Sequence, residues 1–94
     1  MEKRRSLGER GPVPRHYFLV HEGQGNAPDE EGAELADIEA ALLHAAAGAR
    51  SIMSDSILRG ELDLGAFIDV QDDGRNALAR LYFGEAVNVQ HPVS

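Results

Sequence analysis

Hydrophobic and polar positions first alternate regularly in the segment Arg15 to Glu22. Tyr17 and Leu19 fall on one side of this segment, and Phe18 and Val20 fall on the other. A period of two, in a stretch rich in aromatic and β-branched residues, predicts a β-strand.

Turn-forming residues follow this strand. Gly23-Gln24-Gly25 predicts a turn, and Ala27-Pro28-Asp29 leaves room for only a short second strand before Glu30-Glu31-Gly32 turns the chain again. Pro28 lacks the amide hydrogen that a central strand needs, so the second strand is expected at an edge of the sheet.

A helical period begins at Ile38 and continues to about Arg59. Asp37 stands where a cap is needed, and Gly60 follows the last periodic residue as a left-handed terminator. The predicted core stripe consists of Ile38, Ala41, Leu42, Ala45, Ala49, Ile52, Met53 and Ser56.

Two further strands are predicted after the helix, at Ala66 to Gln71 and Asn76 to Phe83. Asp72-Asp73-Gly74-Arg75 connects them as a hairpin turn, with Asp-Gly expected to supply the positive φ angles. One turn of helix is expected at residues 84–87.

These elements predict an α+β fold of the order ββαββ, a small antiparallel sheet with one long helix packed on one face. The predicted domain boundaries are a basic flexible arm at residues 1–13, a single α+β domain at residues 14–87, and a tail at residues 88–94. A chain of 94 residues has room for one core.

Charge and cysteine content narrow the function. Residues 1 to 15 carry +3, so the remainder carries −10 (−7 minus +3), which makes nucleic acid an unlikely partner. The absence of cysteine excludes disulfides, thiolate zinc sites and cysteine nucleophiles. Neither a secretory signal nor a membrane-spanning run is visible, so a cytoplasmic protein with no membrane association is expected.

Several short motifs resemble those of one family. Pro14-Arg15-His16-Tyr17-Phe18, the acidic turn from Asp29 to Leu35, Asp37 with Ala41 and Ala45, and the segment from Ile68 through Gly74 to Leu78 occur in its order. The chain is similar, over about residues 14 to 87, to short bacterial proteins, mostly proteobacterial, grouped as a domain of unknown function. The resemblance implies no activity, and it implies that residues 1–13 are an extension.

A fainter similarity is to HicB-type antitoxins, which combine an opening strand and an acidic-glycine turn with a helix spaced like Asp37, Ala41 and Ala45. It implies an antitoxin-like component that binds a toxin partner. The proline-glycine turn of that family has no counterpart here, so the similarity remains an analogy of element order.

Candidate residues for chemistry are few. His16 and His21 are an odd number of positions apart in a strand, so they are expected on opposite faces, and neither His44 nor His91 forms a pair with metal-ligand spacing. The acidic cluster lacks the spacing of a calcium loop and is interpreted as favouring the electropositive start of the helix; it consists of Glu22, Asp29, Glu30, Glu31 and Glu34. No serine lies in a strand-to-helix elbow. The sequence therefore predicts no catalytic residues, no metal site, no cofactor and no enzyme activity.

The outer side of the helix is unusually apolar, which suggests an interface with a partner. The residues of this hypothetical interface are Ala40, Leu43, Ala47, Gly48 and Leu58. A second copy is the simplest partner, since two-fold dimers are the commonest oligomers; another protein is also possible. The alternative is that alanine occurs there only because it is the best helix former.

The resulting functional hypothesis is a non-enzymatic protein-interaction or regulatory module that acts as a homodimer. The alternative of a different class is the HicB-type antitoxin.

Overall fold

A computed structural model describes residues 13–23, 25–88 and 90 of the chain. The predicted arm, apart from Val13, and the end of the predicted tail lie outside these residues. In chain order the elements are β1 (Arg15–Glu22), β2 (Gly25–Ala27), β3 (Ala33–Glu34), α1 (Ile38–Leu58), β4 (Phe67–Gln71), β5 (Ala77–Tyr82) and a short 3-10 helix (Phe83–Ala86).

The strands form one antiparallel sheet. β4 lies between β1 and β5, and the other edge of β1 pairs with both β2 and β3. Val20 is opposite Ala27 in β2, whereas His16 is opposite Ala33 in β3. The α+β fold is therefore confirmed, with strands before and after a single helix.

The predicted second strand is corrected by the structure. Pairing stops at Ala27, before Pro28, and resumes at Ala33, so the edge consists of two short pieces. The turn between them is held by Asp29, whose Oδ1 accepts from the amides of Glu31 (3.2 Å) and Gly32 (3.0 Å). Pro28 is at an edge, as expected, but does not belong to a strand.

Gly32 is required in this turn by both its backbone conformation and its surroundings. Its φ is +70°, and a Cβ added there would lie 2.7 Å from the carbonyl oxygen of His16. A side chain would therefore clash with β1 as well as strain the backbone.

Helix α1 has the predicted start and end. Oδ1 of Asp37 accepts from the amide of Ala40 at 2.9 Å. At the other end Gly60 has φ +80°; its amide donates to the carbonyl of Ile57, and the amide of Glu61 donates to that of Ser56, each at 2.9 Å. These two bonds form a Schellman motif, which satisfies carbonyls that the helix end leaves open.

The core lies between α1 and the sheet. Three of the four core residues on the helix are alanine; the whole cluster is Phe18, Ala41, Ala45, Ala49, Met53, Ala66, Ile68, Val70 and Phe83. Ser56 is buried as predicted, while Ile38, from the same predicted stripe, is exposed at the helix start. The helix lies mainly over β4, β5 and the 3-10 helix, so the side of the sheet formed by β1 and β2 is less covered.

The β4–β5 hairpin forms where predicted, but with a different turn. The positive φ falls on Arg75 (φ 67°), not on Gly74. The amide of Arg75 donates to the carbonyl of Asp72 (2.9 Å), and the amide of Asp72 donates to that of Asn76 (3.0 Å). This bonding closes a three-residue loop whose third position is left-handed, a position that usually holds glycine.

Candidate interaction surface

The outer side of α1 holds three of the five residues of the predicted interface, Leu43, Ala47 and Leu58. Leu43 is 73% exposed and Leu58 is 83% exposed, and Ala47 between them is also exposed. The opposite side of the helix holds the buried Ala45 and Ala49. Within a single chain, these two leucines therefore have little apolar cover.

The remaining two predicted residues lie differently. Ala40 is half-buried in the first turn of α1. Gly48 is half-buried on a flank of the helix, where it lines a groove with Phe18 and Val20. The structure thus separates Gly48 from the outer leucines and assigns it to another surface.

The face of the sheet that points away from α1 has an aromatic row that the sequence analysis missed. The ring of Phe67 stacks on His21 at 4.5 Å and meets the edge of Tyr82 at 5.5 Å. Arg80 lies over the same ring, with its guanidinium carbon 3.8 Å from the centroid. Period-two alternation places each residue on this face, but their meeting depends on strand register, which the sequence alone did not supply.

Asp69 organises the charges on this face. Its oxygens accept from Nε (2.8 Å) and Nη2 (3.3 Å) of Arg80, and Nε2 of His21 lies 3.7 Å away. The hydrogen bond to Asp69 raises the pKa of Arg80 further above its ordinary value. Arg80 therefore covers the ring of Phe67 and pairs with the carboxylate of Asp69 within the same chain.

The described residues show no assembled catalytic group around His21 and Asp69. The described serines are Ser51, Ser54 and Ser56, and all three lie on α1, on the other side of the sheet. The part of the chain that is described also contains no group of three histidine, aspartate or glutamate residues placed to hold a metal ion.

The histidines lie on different surfaces. His16 is 5% exposed and faces the helix side, whereas His21 lies on the opposite face, as the odd spacing predicts. The ring of His44 packs against Phe18, with centroids 4.8 Å apart. His91 lies outside the described residues.

The acidic cluster has a different role from the one expected. Asp29 holds the turn before β3, Glu34 pairs with Arg15 at 3.0 Å, and Glu22 accepts from the hydroxyl of Ser56 at 3.3 Å. Asp37 is the residue that caps the helix. These carboxylates therefore stabilise turns and strand contacts more than the helix start.

Asp72 plays a similar structural role in the hairpin. The backbone amide of Asn76 donates to its carboxylate at 2.9 Å, as does that of Gly74. The bond from Asn76 is the largest cause of a lowered pKa of this carboxyl group. The negative charge of Asp72 therefore stabilises the hairpin turn.

Comparisons with known proteins place the chain in a family without an assigned activity. A search of curated proteins found no match, and a search of solved structures found none. None of the helices in the described part of the chain combines the length and hydropathy that crossing a membrane requires. The chain belongs to the family described as "Domain of unknown function (DUF6894)", whose model matches residues 15–84 and so confirms the resemblance seen in the sequence.

Proposed function

We propose that this domain is a non-enzymatic protein-interaction module that acts as a homodimer through the outer side of α1. The observation that carries the proposal is the exposure of Leu43 (73%) and Leu58 (83%) opposite the buried stripe. When a partner covers these two large apolar side chains, their surface is removed from water, and this stabilises the assembly.

The spacing of these leucines fits an antiparallel pair of helices related by a two-fold axis. They are 15 residues apart, about 22 Å along the helix at 1.5 Å per residue. With the axis beside Arg50 and Ser51, Leu43 of one copy meets Leu58 of the other, and the reverse contact forms at the same time. Ala47 then faces Ser54, and such small residues favour a close approach of the two helices, within the usual range of about 8–10 Å.

The opposite face of the sheet is a weaker candidate for the interface. The ring of Phe67 is already covered by Arg80 and packs against His21 and Tyr82. Covering this face with a partner would mean desolvating the Arg80–Asp69 pair, which costs free energy. On the outer side of α1 the charged residue beside the proposed axis is Arg50, whose guanidinium donates to the carbonyl of Ala86 at 2.9 Å. Contact through Leu43, Ala47 and Leu58 therefore desolvates no ion pair comparable to Arg80–Asp69.

Light scattering on the purified protein tests the proposal. At micromolar concentrations the natural chain is expected to scatter with twice its single-chain mass of 10.2 kDa, and the double variant Leu43→Asp, Leu58→Asp with the single-chain mass. Leu78→Asp is the matched control, because Leu78 is also exposed (48%) but lies in β5. A natural chain of single mass, or a dimer that survives the double variant, would overturn the proposal.

A cytoplasmic location is part of the same proposal and is testable by cell fractionation. The HicB-type antitoxin alternative stays a prediction. A small toxin gene next to the gene for this chain would favour it over a self-contained dimer.

A further inference from the structure

A groove runs along one flank of α1, between the helix and the edge formed by β1 and β2. Its mainly apolar part has a volume of about 290 Å³, with Phe18 and Val20 on the sheet side and Gly48 and Ile52 on the helix side; Asp29 and His44 also line it. The groove is open because α1 lies mainly over the other side of the sheet.

The groove becomes acidic toward the end of β1. Val20 also lines an adjoining hollow of about 230 Å³ that includes Glu22. Glu22 in turn lines a third hollow, of about 390 Å³, with Glu61 and Asp63. Arg59 is the cation in this lining and lies 3.9 Å from Glu61, so the carboxylates outnumber it.

Gly48 keeps the apolar part of the groove open. Glycine is among the least favourable residues in the interior of a helix. A Cβ added at Gly48 would meet nothing within 4 Å, so no contact among the described residues requires glycine here. Its lack of a side chain leaves room on the helix wall of the groove.

The sequence contains a segment of complementary chemistry. Residues 1–12 carry four basic and two acidic side chains, a net charge of +2, so the remaining residues carry −9 (−7 minus +2). Leu7 is the one large aliphatic residue between the basic run Lys3-Arg4-Arg5 and Arg10. From Leu7 toward the amino terminus, the segment changes from apolar to basic. Along β1 toward Glu22, the groove changes from apolar to acidic, so the two match.

The lengths also match. For the segment to run back along the groove, the chain must reverse before β1, and Gly11-Pro12 supplies the turn chemistry. A reversal centred on Pro12 and Val13 brings Leu7 level with Phe18, about 13 Å along β1 from Pro14. The basic run then lies level with Val20 to Glu22, about 20–26 Å along β1 from the same point.

We propose that this groove binds the segment from Lys3 to Arg10 of the same chain. Leu7 occupies the apolar part beside Phe18, and the basic run faces Glu22, Glu61 and Asp63. A chain whose own segment fills the groove is closed to basic segments of other proteins, so the segment acts as a built-in competitor. This proposal uses a different surface from the proposed dimer and does not depend on it.

Paramagnetic broadening in the full chain tests the proposal directly. The chain has no cysteine, so Ser6→Cys gives a single attachment point for a nitroxide. We expect the amide signals of Val20, Ala27 and Gly48 to broaden strongly, while those of Leu78 and Arg80, on the far face of the sheet, stay sharp. Even broadening over all signals, or none, would overturn the proposal.

Variants of the groove and of the segment control for unrelated effects of the label. Gly48→Leu, which fills the groove, is expected to abolish the broadening, whereas Gly48→Ala, which leaves most of the space, is expected to retain it. Replacing Leu7 with serine and the basic run with glutamate should also abolish it. The dispersion of the amide spectrum shows that each variant is folded.

A mixed sample distinguishes the same chain from a second copy. Nitroxide-labelled chains without ¹⁵N are mixed with ¹⁵N chains that carry no label. We expect no broadening of Val20, Ala27 or Gly48 in this mixture. Broadening there would assign the bound segment to another copy and overturn the proposal.

Discussion

Arg75 has a backbone conformation that is unfavourable for any residue with a Cβ, and contacts of its own side chain stabilise that conformation. Its φ is 67°, a left-handed conformation that costs a residue with a Cβ about 1–2 kcal/mol. The guanidinium lies 3.6 Å from the centroid of the Tyr17 ring and donates to the carbonyl of Asp29 at 2.9 Å. Arg75 thus ties the β4–β5 hairpin to β1 and to the turn before β3.

Two substitutions separate the strain at this position from the contacts. Arg75→Ala loses the contacts and keeps the strain, whereas Arg75→Gly loses the contacts and the strain together. We expect both variants to be less stable than the natural chain, with alanine worse than glycine by about 1 kcal/mol. Urea unfolding measures this, and equal stabilities of the two variants would contradict the strain.

At the scale of single elements, Gly48 is a position where the stability of α1 can be changed without altering the core. Gly48→Ala is expected to raise the free energy of unfolding by about 1 kcal/mol, because alanine is a far better helix former and the added Cβ meets nothing within 4 Å. Thermal or urea unfolding at low protein concentration measures the gain.

Gly32→Ala is the control that should move in the opposite direction. Its Cβ would lie 2.7 Å from the carbonyl oxygen of His16 and 2.9 Å from the Tyr17 ring, on a backbone with φ +70°. We expect a loss of more than about 1 kcal/mol. If both substitutions changed the free energy of unfolding in the same direction, helix propensity and local space would not account for the effects at Gly48 and Gly32.

The elements differ in how well the sequence predicted them. The reason is the distance along the chain between the residues that determine each element. Asp37 and Gly60 act within a few residues, so the bounds of α1 could be predicted closely. The interrupted edge of β2 and β3 depends on pairing with β1 across a turn held by Asp29, and no local pattern encodes that pairing. The left-handed residue was placed at Gly74 because Asp-Gly is the common turn, whereas the three-residue loop moves it to Arg75.

The same distinction applies to the candidate surfaces. Helical period alone placed Leu43 and Leu58 on the outer side of α1, because that side is fixed by the buried stripe. The groove at Gly48 needs the position of α1 over β4 and β5, and the Phe67 row needs the register of three strands. Both are tertiary features, so spacing along the chain could not reveal them.

At the scale of the whole molecule, charge acts on the two proposals with opposite signs. Two copies of a chain of net charge −7 repel each other, so screening by salt should strengthen a dimer held together by leucines. The bound segment of net charge +2 is attracted to a body of −9, so the same screening should weaken its docking. The range of these interactions shortens from about 30 Å at 0.01 M salt to about 8 Å at 0.15 M.

Raising sodium chloride over that range is therefore expected to strengthen the dimer and to weaken the docking of the segment in the same samples. The concentration at which half of the chains are dimeric, measured by light scattering, is expected to fall several-fold. The broadening of Val20 and Ala27 by a nitroxide at Ser6→Cys is expected to decrease in the same buffers. A dimer that weakens with salt would mean that ion pairs and not Leu43 and Leu58 hold it together, and broadening that is insensitive to salt would mean that Glu22, Glu61 and Asp63 do not attract the basic run.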